Sequence, residues 1–340
     1  PVLSNDDMQK LRNLDLQGYR SCVLPMVFDA TKGEKALEPA LVELCKAAEA
    51  KVDEGYSLII LSDRPVNETM APIPALLATS AVHNHLIRTQ KRQLTGLIVE
   101  TGEARDVMHF ATLIGFGASA INPYLAIEIL ADLKEQGKLK LRQETIIEHY
   151  IIAIKKGLLK VMSKMGVSTI RSYRGAQIFE AVGLNESFVE KYFPGTPSRI
   201  GGIDIEVVAH EVLERHKIAY GKDLYELDTL DSGGNIHFRK NSEKHLYSPE
   251  AITFIHKAIR ESNYDYYKQY ASCINDINKN LCTLRGLFTF KPQKAIPIDE
   301  VEPVEYIVKR FVSSAMSFGS ISKKTHETIA IAMNRLGASS

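Results

Sequence analysis

The sequence predicts an α/β fold in which parallel strands are covered by helices. Strand and helix signals alternate four times over residues 24–130. The apolar runs are continuous rather than alternating, as expected of strands buried on both faces. The segments between them are long enough for the crossover helices that parallel strands require.

The elements follow in order. "LPMVFD" (24–29) is the first apolar run. The helix after it sets Leu37, Leu41, Leu44, Ala48 and Val52 on one stripe. Pro39 sits near its start, where a missing N–H costs little. "YSLIILSD" (56–63) reads as a strand, "PALLATSAVHNHLIRTQ" (74–90) as a helix and "TGLIVETG" (95–102) as a strand. A helix over 104–114 and a short strand, "ASAIN" (118–122), come next, and a helix over 123–136 stops at Gly137. Strands are expected near 24–28, 57–62, 96–100 and 118–122. Asp29, Asp63 and Glu100 each sit just past an apolar run, where parallel α/β folds bind ligands. Capping of the next helix is the more economical reading of these acids.

From residue 142 a long helix carries Ile147, Ile151, Ile154, Leu158, Met162 and Met165 on one face and ends at Gly166. "STIRSYRGAQIFEAVGL" then reads as a short strand and helix. "GTPSRIGGIDIEVVAHEVLERH" reads as a glycine-rich loop before a helix capped by Asp204. Residues 231–247 are polar and loop-like. "SPEAITFIHKAIRES" opens with Ser248 as N-cap, Pro249 at the first helical position and Glu250 in the first turn. "NYDYYKQYASCINDIN" is a further helical stretch. "KPQKAIPIDEVEP" (291–303), with three prolines, reads as a linker. Beyond it, "FVSSAMSFGSIS" and "KKTHETIAIAMNRLG" form one strand–loop–helix unit.

The chain has 340 residues, 45% hydrophobic and 24% charged, an ordinary globular composition. Its 42 basic and 41 acidic residues give a net charge of +1, so nothing calls for nucleic acid or an anionic membrane. No apolar stretch approaches the ~20 residues of a membrane span. The start, "PVLSNDDMQK", lacks a signal-peptide pattern. It also lacks an initiator Met, which points to a piece of a longer chain. Cys22, Cys45, Cys273 and Cys282 form no CxxC and read as reduced thiols of a cytosolic protein. His210 and His216 in "HEVLERH" are six apart and miss the HExxH spacing of a zinc helix.

Two loops remain. "ETGEARD" (100–106) and "GFGASAINP" (115–123) are placed as a barrel's phosphate loops would be. "GFGASA" is not a dinucleotide fingerprint, because Ala120 stands where a third glycine belongs. Arg105 is the nearest basic candidate. Tight packing is reason enough for Gly115 and Gly117, with Asn122 and Pro123 starting the next helix. The competing reading is a free-standing (β/α)-type enzyme, or a phosphate- or flavin-binding protein, that uses the 100–123 loops.

Four long runs settle the preference. "LSDRPVNETMAPIPALLATSAVHNHLIR", "IVETGEARDVMHFATLIGFGASAINPYLA", "IKKGLLKVMSKMGVSTIRSYRGAQIFEAVGL" and "SRIGGIDIEVVAHE" resemble the central domain of the glutamate synthase large subunit. "KRFVSSAMSFGSISKKTHETIAIAMNRLGASS" resembles the first strand and helix of that family's FMN-binding barrel. The resemblance covers essentially the whole chain. It implies a central domain over 1–290, a linker over 291–303 and the start of the barrel over 304–340. It implies an incomplete (β/α)-barrel-like shape for the central domain, with extra C-terminal helices. It also implies a structural role, linking glutaminase and FMN/2-oxoglutarate domains in a cytoplasmic parent that makes glutamate from glutamine and 2-oxoglutarate. The parent's partners would be its glutaminase, FMN and β-helix domains and an electron-donor subunit or ferredoxin. Its cofactors would be FMN and a 3Fe–4S cluster, neither bound by this chain alone. Ala315, Met316 and Ser317 match the family's "AMS" segment, which contacts FMN in the intact enzyme. No catalytic or metal-binding residue is carried over, and this chain alone is expected to be inactive.

Overall fold

A computed structural model describes residues 1–221, 233–234, 236–240, 242–275, 282–288 and 290–340. It comprises two compact units, residues 1–228 and 229–340.

The first unit begins with α1 (Asn5–Arg12), closed by a reciprocal capping box between Ser4 and Asp7. Next come β1 (Asp15–Leu16), β2 (Tyr19–Pro25), β3 (Val27–Asp29) and α2 (Leu37–Asp53). They are followed by β4 (Leu58–Ser62), β5 (Met70–Pro72), α3 (Ala75–Arg88), β6 (Gly96–Glu100), α4 (Val107–Gly115), β7 (Ala120–Asn122) and α5 (Tyr124–Glu135). The main sheet has the order β1-β2-β4-β6-β7. Within it β2, β4, β6 and β7 are parallel neighbours in chain order. That is the winding of a (β/α) barrel, not the reversing order of a doubly wound sheet. The sheet does not close. The antiparallel β1 lies at one edge, and Val2 makes an isolated parallel bridge to Ile121 at the other.

Side chains alternate across the sheet. Ile59, Leu61, Leu97, Val99 and Ile121 enter the main core with α2, α3 and α4. All five residues of the expected α2 stripe are buried there. Ile60 and Ile98 belong to the other face, which a closed barrel fills with side chains from opposite strands. Here α1 fills it: Met8 joins Ile60 and Ile98 in a second buried cluster, with Leu3 and Leu11 packed on it.

The expected strand at 24–29 divides. β2 starts earlier, at Tyr19, and ends at Pro25, where the Met26 N–H makes the last bond to β4, at 2.8 Å to Ser62 O. Val27–Asp29 turns away to pair antiparallel with β5. α6 (Gln143–Lys164) buries Ile146, Ile154, Leu158 and Met162, while Met165 leaves the expected stripe at 51% exposure. α7 (Ile170–Tyr173), β8 (Ala181–Leu184), α8 (Glu186–Tyr192), β9 (Ser198–Ile203) and α9 (Ile205–Tyr220) complete the unit. Helix therefore precedes strand over 170–184, the reverse of the expected order. The glycine-rich 198–203 is a strand rather than a loop, parallel to β8. Its glycines carry no side chains whose alternation could have marked it. Asp204 caps α9 as expected, accepting from the N–H groups of Glu206 and Val207.

In the second unit, α10 (Pro249–Arg260) starts at the Ser248 cap and packs against α11 (Tyr264–Asn275). α12 (Val304–Ile307) and α13 (Lys323–Leu336) follow. The strand expected in "FVSSAMSFGSIS" is reduced to one bridge between Val312 and Ser339. A strand needs a neighbouring ladder, and the described residues supply one bridge of it. Parts of the expected 231–247 loop and 263–278 helix lie outside the described residues.

Candidate functional site

The parallel strands deliver their last residues to one end of the sheet, where Glu100 is 1% exposed. Its carboxylate accepts from Arg12 at the end of α1, from Ser62 at the end of β4, and from Arg64 Nε at 2.8 Å. Arg64 also reaches Glu128 of α5 at 3.1 Å and lies 4.1 Å above the Tyr124 ring. Glu100 thus ties the inner-face helix to the sheet and to the loop after β4.

Asp63 is buried beside it. It accepts from Thr101 Oγ1 at 2.5 Å, from the Gly102 N–H at 3.1 Å and from the Tyr124 hydroxyl. Glu103 Oε2 accepts from the Ala75 N–H at 2.7 Å and so caps α3 from a neighbouring loop. Of the three strand-end acids, only Asp29 caps its own following turn, accepting from the Thr31 N–H. Asp63 and Glu100 lock loops together. A cleft of ≈420 Å³ opens here, lined by Asp63, Glu103, Tyr124, Arg215 and His216 among others. No paired nucleophile and base faces it among the described residues.

Burial raises the Asp63 pKa, against the lowering effect of its hydrogen bonds. A carboxyl with a raised folded pKa binds its proton more tightly in the folded state. Its contribution to stability therefore falls as pH rises from the unfolded value through the folded one. A carboxyl NMR titration should give Asp63 a midpoint above the ordinary 3.8. A midpoint at or below that value contradicts the dominance of burial.

The "GFG" loop sits at the opposite end. α4 ends at Gly115 and the turn leads into the start of β7. The expectation that this loop and "ETGEARD" share one end is therefore corrected. The N–H groups of Phe116, Gly117, Ala118 and Ser119 donate to the carbonyls of Thr112, Ile114, Leu113 and Leu97. None is left to converge on a phosphate, and a helix C-terminus is the negative end of its dipole. Arg105 lies before α4, a helix length of roughly 13 Å from this loop. Asn122 is not a cap either. Its Nδ2 donates to Leu3 O at 3.1 Å and Asn5 Oδ1 at 3.0 Å, and Pro123 takes the N-cap position without a side-chain bond. His210 and His216 fasten α9 instead, to Glu34 Oε1 at 2.7 Å and to Asn67 O at 2.7 Å.

Ala315, Met316 and Ser317 occupy an exposed loop before α13 in the second unit. His326 Nε2 lies 3.0 Å from Met316 O, and the Ser317 and Ser320 hydroxyls are 2.7 Å apart. The Arg12–Glu100–Arg64 cluster was not legible beforehand, because its members are 36 to 88 residues apart with no local pattern.

Residues 1–185 match the family described as "Glutamate synthase central domain", and residues 245–340 match "Conserved region in glutamate synthase". Over its whole length the chain is 44% identical to the "Glutamate synthase [NADPH] large chain" of Bacillus subtilis. It is 39% identical to the "Glutamate synthase [NADH]" of Schizosaccharomyces pombe. It is 40% identical to the "Ferredoxin-dependent glutamate synthase 2" of Synechocystis. It spans 22%, 16% and 23% of those relatives. The chain belongs to the glutamate synthase central-domain family.

Proposed function

We propose that this chain is the structural centre of a larger cytoplasmic enzyme that makes glutamate from glutamine and 2-oxoglutarate. One observation carries the reading: every residue aligns with glutamate synthases, yet only 16–23% of their length is covered. In this reading residues 1–290 form the central domain and 291–303 the linker, and 304–340 open the flavin barrel. The glutaminase, FMN and β-helix domains of the parent pack around it. The electron donor is a nicotinamide-oxidising subunit or ferredoxin, as the relatives' names divide. Four free cysteines support the cytoplasmic assignment. Among the described residues no helix is long and apolar enough to cross a membrane.

Ala315, Met316 and Ser317 fit the edge of a flavin. Their loop is exposed, and its side chains are mostly small. FMN would supply the reducing electrons, while these residues would hold the ring in place. The iron–sulfur cluster fits no donor set here, because Cys273 and Cys282 stand nine apart and the other cysteines are remote. Its ligands belong to other parts of the parent.

Two outcomes test this. The chain by itself should be colourless and should form no glutamate from glutamine and 2-oxoglutarate; a flavin spectrum at one FMN per chain overturns the structural role. In the full-length enzyme, Met316→Trp should release FMN on dialysis that the parent withstands. Unchanged flavin content and turnover would remove these three residues from the flavin site.

A further inference from the structure

A large cleft of the first unit lies at the end of the sheet opposite Glu100, between the C-termini of α3 and α4. It measures ≈740 Å³, and among the described residues no Asp or Glu lines it. Two guanidinium groups do. Arg92 donates from Nε to His83 Nδ1 at 2.8 Å and from its terminal nitrogens to Thr95 O at 2.6 Å and Gly117 O at 2.9 Å. Arg174 donates to Ser119 Oγ at 2.8 Å. Of the five N–H groups on each guanidinium, Arg92 thus commits three and Arg174 one. Neither forms an ion pair among the described residues.

The local charge does not cancel. Two helix C-termini supply about half a negative charge each, against two full positive charges. About one positive charge remains uncompensated. Burial, and then Arg174, pull the Arg92 pKa down to about 10. Burial and both arginines push His83 down to about 4, so its ring is neutral at physiological pH. With Nδ1 accepting from Arg92, the His83 proton sits on Nε2 as one more donor.

A second observation points the same way. Gln90 and Gln177 both line the cleft and hold left-handed backbones, with φ of 60° and 54°. Gln90 occupies the turn after α3, where glycine would meet no penalty. Strained backbones of this kind gather where a side chain is needed at a fixed place. Ile87, Phe116 and Phe179 give the same cleft an apolar side.

We propose that this cleft is an anion-binding site, in which Arg174 grips a phosphate or carboxylate group of a small ligand over a floor held rigid by Arg92. The apolar side takes the ligand's body, and the glutamine amides fix its orientation. The site uses side chains, so it is compatible with a "GFG" loop whose own N–H groups are spent. It stands apart from glutamate formation, which can be intact whether or not an anion binds.

The test uses the full-length protein, with inorganic phosphate and succinate as probes at constant ionic strength and sodium chloride as the reference. Calorimetry and thermal melting should show saturable binding of at least one probe. Phosphate alone would mark a phosphorylated ligand, and succinate alone a carboxylate. Arg174→Gln should weaken binding by about tenfold or more, the scale of a lost charge-assisted hydrogen bond. Its melting temperature without ligand should stay near that of the parent, because only Ser119 loses a partner. Arg174→Lys should retain part of the affinity. Absence of binding beyond the chloride reference overturns the proposal, as does equal binding by Arg174→Gln.

Discussion

Replacing Glu100 by Ala should lower the stability of the first unit by about 3 kcal/mol, the low end for removing one partner of a buried ion pair. The low end applies because both orphaned cations keep some water: the Arg12 and Arg64 side chains are 27% and 37% exposed. At this unit size the loss corresponds to roughly 6–12 °C in melting temperature. The reason for so large an effect is position. Glu100 is the buried counter-charge for two arginines arriving from different elements, and Ser62 loses its acceptor as well. α1 should suffer most, since Arg12 is its polar anchor and Met8 its apolar one. Amide exchange in residues 5–12 should then accelerate. The double variant Arg12→Ala, Glu100→Ala should be less damaged than the sum of the two, because removing both leaves one fewer uncompensated charge. Additive losses, or a Glu100→Ala cost under about 1 kcal/mol, would show that the cluster is a solvated surface pair.

That cluster marks the limit of what the sequence discloses. The continuous runs 58–62 and 96–100 say that both faces are covered, and they are. They do not say by what. A closed barrel and a sheet stopped by a helix need the same apolar residues on the inner face, and here Met8 of α1 does the covering. The helices were legible because each must bury a stripe, and Leu37 to Val52 does so in register. The pairing of β8 with β9 was not, since glycine and short strands leave no period to read. The "GFG" loop misled for a different reason. Its glycines announce a tight turn, but a turn into a strand and a turn out of one look alike in one dimension. Their dipoles are opposite, and so is the sign of charge each attracts.

Gly117→Ala should therefore be destabilising through packing, with no ligand involved. Two costs add at this position. Its φ is 124°, which a side chain adopts only with strain, about 1 kcal/mol. A Cβ built there would also lie 2.5 Å from the His83 ring, closer than real contacts allow. His83 cannot simply swing aside, because its Nδ1 is held by Arg92, which also grips Gly117 O. Overpacking of this kind costs a further ~1–3 kcal/mol. Gly137 separates the two effects. It also has a positive φ, 72°, but nothing lies within 4 Å of a Cβ there. Gly137→Ala should lose only the backbone share, about 1 kcal/mol. Denaturant midpoints of the two variants, measured side by side, decide the matter. A Gly117→Ala loss no greater than that of Gly137→Ala would mean that His83 and Arg92 yield freely, and that this wall of the cleft is not rigid.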